Sequence, residues 1–255
     1  MWTGLAVAGP RAIPQLVSAI ETPIPLDGAG LQPGGVGGPA GAAYALGGCA
    51  GGAEIGEMQR AVTALLDAIE SAQERLRAYQ AGHSEEELAA IAETSRGVGG
   101  AQVAMDAVAT EHRRLIASAA KSVGILCHDA LRSHAAEPET AAMVRRAVAT
   151  LCELRGSAGP SAELGGKRHG GQLAELAALG VGEEPATMFP TYLSRTHVAR
   201  NATSALLKIC SGGGAEPEWG GVSVAAVVAR AELAQRSAQE PALRAVFAQV
   251  VAALG

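Results

Sequence analysis

The chain has 255 residues, 48% of them hydrophobic but only 3% aromatic, with a formal net charge of −5 and a pI near 5.7. The length allows one large core, two small domains or a short solenoid. The acidic balance excludes an electrostatically driven nucleic-acid binder, which carries a basic domain. An aliphatic, alanine-rich core suits closely packed helices better than a β-sandwich, so an all-α fold is expected.

The start, "MWTGLAVAGPRAIPQL", has no Lys/Arg run before its apolar patch and Pro10 interrupts it, so no signal peptide is expected. Residues 11–21 place Ile13, Leu16, Val17 and Ile20 on one helical face, with Pro14 tolerated in a first turn. The run "TPIPLDGAGLQPGGVGGP" that follows is broken by prolines and glycines, and a flexible loop is expected over 22–41. Ala42, Ala43, Ala45, Leu46 and Cys49 then form a short helical stripe, although Gly47 and Gly48 are unfavourable in a helix. The long uncharged run 28–53 has too few large apolar side chains to span a membrane.

Residues 57–80 carry the strongest helix signal. Met58, Val62, Leu65, Ile69, Ala72, Leu76 and Tyr79 recur at alternating steps of four and three. A long helix of an antiparallel arrangement is the first reading and a coiled-coil seam the alternative. Ser84 and Glu87 form a capping box for a next helix, which Gly97, Gly99 and Gly100 end. Helices are expected at 101–127, with His112 on the apolar stripe as a core or boundary residue, and at 138–154, with Pro138 at the start. A loop at 156–171 precedes helical pieces at 172–179 and 187–211. After a further loop at 211–221, helices at 222–237 and 240–254 complete a single 255-residue domain.

A long-period repeat runs beneath these elements. "AGAAYALGGCAGG" (40–52), "IASAAKSVGILCHD" (116–129) and "VARNATSALLKICSGG" (198–213) align by residue size, and "ALRAVFAQVVAALG" (242–255) aligns less well. Ala42-Ala43, Ala119-Ala120 and Ala202-Thr203 share one column, and Leu46, Val123 and Leu206 another. The pattern resembles the third helix of armadillo repeats, and "GPRAIPQLVSAI" resembles the opening of such a repeat's second helix. The matching segments lie 77 and 83 residues apart, whereas one unit is about 40–47 residues long. Insertions or diverged intervening units would account for the difference.

The resemblance implies a right-handed α-solenoid whose concave face, lined by the third helices, holds a partner protein; an irregular helical bundle is the alternative fold. Peptide-binding members of the family carry a Trp and, four residues on, an Asn on each third helix. Here those columns hold Tyr44, Lys121 and Ser204, then Gly48, Ile125 and Lys208, and the lysines would repel a basic peptide. Arg200, Ser204 and Lys208 share one helical face, and with Tyr44 and Lys121 they make a weakly basic strip expected to hold an acidic or phosphorylated partner segment. The solvated-face reading of the same charges stands beside it.

No catalytic constellation is legible, and neither a cofactor nor a metal site is expected. Cys49, Cys127, Cys152 and Cys210 are separated by 78, 25 and 58 residues without a CxxC pair, which reads as buried thiols in a reducing compartment. "GGKRHGG" (165–171) lacks Walker spacing, and His128, Asp129 and His134 are poorly spaced for metal. The functional expectation is a non-enzymatic scaffold or adaptor, cytoplasmic and without a membrane span. The alternative is a structural subunit that docks through helix 57–80.

Overall fold

The computed structural model describes residues 9–22, 24, 38–49, 53–82, 107–156, 195–211 and 223–255. Every regular element among them is helical. A 3₁₀ turn, Gly9–Ala12, leads into α1 (Ile13–Ile20). It is followed by α2 (Gly38–Gly47), α3 (Ile55–Ala81), α4 (Ala107–Ser133), α5 (Pro138–Gly156), α6 (Arg195–Cys210), α7 (Val224–Ser237) and α8 (Pro241–Leu254).

Local chemistry explains the visible boundaries. Pro14, Pro138 and Pro241 stand in the first turns of α1, α5 and α8, where a missing N–H costs no helical hydrogen bond. The Ser223 hydroxyl accepts from the Ala226 N–H at 3.1 Å and caps α7, so "GVSVAAVVA" is helical from Val224. Two boundaries are corrected: residues 38–41, expected in a loop, are the first of α2, and α4 runs on to Ser133 rather than ending at 127. Gly38 takes φ +72°, open to glycine without strain, and Pro39 presets the helical φ of the following turn.

The apolar stripes are spent inside the chain. On α3, Met58, Val62, Leu65, Ile69 and Ala72 are all buried, and the helix packs against α1, α4 and α5. The seam that suggested a coiled coil is therefore filled by the chain's own helices over most of its length. Each Leu or Ile fully withdrawn from water in this way contributes about 1.5–3 kcal/mol. The capping box at Ser84, the helical pieces at 172–179 and 187–194, and most of the three expected loops lie outside the described residues.

Sequential helices pair as α1 with α2, α3 with α4, α5 with α6 and α7 with α8. The pairs also meet side by side. In one row α2 packs on α4, α4 on α6 and α6 on α7; in the other α1 packs on α3, α3 on α5 and α5 on α8. Apolar side chains of both rows form one continuous core. Ion pairs tie the second row from outside: Arg146 of α5 reaches Asp67 of α3 at 2.5 Å and Glu70 at 3.4 Å.

Candidate partner-binding face

The first row is held together by small residues, and the same crossing occurs twice. A Cβ placed on Gly47 of α2 would lie 2.7 Å from Ser122 Oγ of α4; one placed on Gly124 of α4 would lie 2.7 Å from Ala205 Cα of α6. Gly47 and Gly124 occupy one column of the aligned segments, and Ser122 and Ala205 occupy another. The two helix pairs therefore cross in the same register. Ser122 Oγ also donates to the Ala43 carbonyl at 2.7 Å, a buried hydrogen bond between α2 and α4. The residues of the two aligned columns, Ala42-Ala43, Ala119-Ala120, Ala202-Thr203 and Leu46, Val123, Leu206, are all buried.

With both flanks of α4 covered, its solvent contact is confined chiefly to one stripe. Arg114, Ser118, Lys121, Ile125, Asp129 and Arg132 are half-buried or exposed there, at helical steps of three and four. Sequence reasoning placed Lys121 and Ile125 in the columns of this face and weighed Asp129 only as a metal ligand; Arg114, Ser118 and Arg132 it missed. Extending the periodicity of Lys121 along the helix would have found them.

Tyr44 and Lys121 come together. The tyrosine is 57% exposed on α2, and the Lys121 ammonium lies 4.8 Å from the centroid of its ring, within cation–π range. Ring and cation thus form one amphipathic feature at the α2–α4 boundary. Nearby on the α4 stripe, Arg114 pairs with Glu111 at 2.8 Å. Burial pushes the Glu111 carboxyl up, and the Arg114 guanidinium offsets part of that.

On α6, Arg200 is exposed and Ser204 half-buried, whereas Lys208 is buried to 9% exposure. Lys208 is thus closed off where sequence periodicity put it on the open face with Arg200. Its carbonyl accepts from His128 Nδ1 at 3.1 Å; a carbonyl only accepts, so the proton of this imidazole sits on Nδ1. His128 is consequently a buried strut between α4 and α6. Tyr44, Lys121, Arg200 and Ser204 each keep contact with solvent, as do Asp129 and Arg132 farther along α4; of these, Tyr44 and Lys121 are in direct contact.

The other chemistry-bearing residues do not converge. His134 faces Glu137 at 3.3 Å on the connection to α5, apart from the buried His128. Among the described residues no group of three or more His, Cys, Asp or Glu side chains is placed to hold a metal ion. The four cysteines are free, and burial pushes Cys127 and Cys210 up to about 12 and Cys152 to about 11. Such thiols are poor nucleophiles at neutral pH. Residues 165–171 lie outside the described residues. No helix among the described residues is long and apolar enough to cross a membrane. No protein-family model matches the chain, and no curated protein or solved structure matches it.

Proposed function

We propose that the chain is an armadillo-like α-solenoid acting as a non-enzymatic scaffold or adaptor, which holds an acidic or phosphorylated segment of a partner protein along its first row of helices. The observation that carries this reading is the repeated crossing, Gly47 on Ser122 and Gly124 on Ala205. Helices stacked in one register turn the same column outward each time, and that column holds Tyr44, Lys121 and Ser204. Stacked repeats bury a continuous core while leaving such a face open, which suits an extended ligand.

Charge decides the class of ligand. Lys121, Arg132 and Arg200 stand along this face against Asp129, on a chain of net charge −5. Cations held on rigid helices form charge-assisted hydrogen bonds to carboxylate or phosphate groups with little ordering cost. Tyr44 adds a flat apolar surface beside the Lys121 ammonium. A reducing, cytoplasmic setting belongs to the same reading and suits four free thiols.

The test is fluorescence anisotropy with two labelled extended peptides, one rich in glutamate and phosphoserine, the other its lysine-substituted counterpart. Saturable binding of the acidic peptide, weakened about tenfold or more in a K121E/R200E variant and by added salt, is the expected result. Equal binding of both peptides, or no response to the double charge reversal, overturns the proposal.

A further inference from the structure

A cleft of about 220 Å³ lies where the end of α1, the middle of α3 and the N-terminal part of α4 meet. Its floor is apolar: Ile20 of α1, Ala72 of α3 and Leu115 of α4 are buried and line it. Its walls carry opposite charges. Glu21 stands at the end of α1 and Arg75 on α3, both lining the cleft, and among the described residues neither makes an ion pair with the other or with a third group. The remaining carboxylate of the lining, Asp67, is engaged by Arg146.

Two opposite charges that border one apolar cleft without meeting set a narrow condition on what fits between them. A simple anion drawn to Arg75 is repelled by Glu21, and a simple cation drawn to Glu21 is repelled by Arg75, so each meets one unfavourable wall. A molecule carrying both charges, with an aliphatic part to cover Ile20, Ala72 and Leu115, satisfies all three surfaces. The volume lies below the range of about 300–1,000 Å³ that holds drug-sized ligands, so the molecule is small. We propose that this cleft binds a small zwitterion, an α-amino acid with an aliphatic side chain, its carboxylate on Arg75 and its ammonium on Glu21. The site is independent of the partner-binding face and stands or falls without it.

Isothermal titration of the full chain with L-leucine, 4-methylpentanoate and isoamylamine tests this directly, because the two analogues each lack one charge of the amino acid. Leucine is expected to bind saturably, and each analogue about tenfold or more weakly. R75Q should abolish the preference for leucine over isoamylamine, E21Q the preference over 4-methylpentanoate, and K121E/R200E should change neither. Absence of saturable leucine binding overturns the proposal. So does equal binding of leucine and either analogue, a result read on the unmodified protein and therefore independent of how the variants fold.

Discussion

Replacing Gly124 by alanine probes the α4–α6 crossing with a single methyl group. The added Cβ would sit 2.7 Å from both Cα and Cβ of Ala205 and 3.3 Å from its carbonyl oxygen. Carbon atoms in contact prefer about 3.5–4.0 Å, and neither Ala205 atom can rotate away, so the helices must part locally by about 1 Å. Overpacking of this kind costs about 1–3 kcal/mol, while alanine for glycine in a helix returns about 0.5–1 kcal/mol. The net expectation is a loss of about 1–2 kcal/mol. Gly56, in the first turn of α3, is the internal control: nothing lies within 4 Å of its added Cβ, so Gly56→Ala keeps the propensity gain alone. Urea unfolding followed by far-ultraviolet circular dichroism compares the two midpoints. If Gly124→Ala is as stabilising as Gly56→Ala, α4 and α6 are not in contact at this point and the reasoning fails.

Ser122→Ala removes the buried bond to the Ala43 carbonyl and is expected to cost about 1 kcal/mol in the same urea assay. Arg146→Gln breaks the pairs to Asp67 and Glu70, but all three side chains are at least 41% exposed. Its cost should therefore stay below about 1 kcal/mol and shrink further in high salt. Cys127 and Cys210 should resist an aromatic disulfide reagent in the folded chain and react once urea unfolds it. Their folded pKa values, about 12, stand above the ordinary 9.0, so folded thiols keep protons that unfolded thiols lose. Stability is insensitive to these groups below about pH 9 and falls as pH climbs from there toward 12, which alkaline midpoints in urea will show.

The helical class and the periodic stripes were legible in the sequence because both follow from local spacing. The stripe of α3 is buried from Met58 to Ala72, and the aligned columns of small residues and leucines are closed to solvent. Gly47 looked unfavourable when judged by propensity alone. Its reason is tertiary, because Ser122 of a helix 75 residues away in sequence occupies the space of a side chain. Lys208 shows the opposite limit: periodicity placed it with Arg200 and Ser204, but local spacing cannot report that tertiary packing buries it. The α1–α3–α4 cleft had no linear signature, since Glu21, Arg75 and Leu115 are brought together only by the pairing of three helices. The start of α2 was masked by composition. Glycine and proline signal a loop, yet at Gly38-Pro39 they are an N-terminus.

The central claim is that α2, α4 and α6 lie side by side in one row. Spin labels on cysteines introduced at positions 44, 121 and 204, in a chain whose own thiols are mostly buried, measure this by electron paramagnetic resonance. Packed helices lie about 8–10 Å apart, so the 44–204 separation should be about twice that of 44–121 or 121–204. A 44–204 separation no longer than the other two would mean that the three helices cluster around a common centre, and the row, with the binding face built on it, would be wrong.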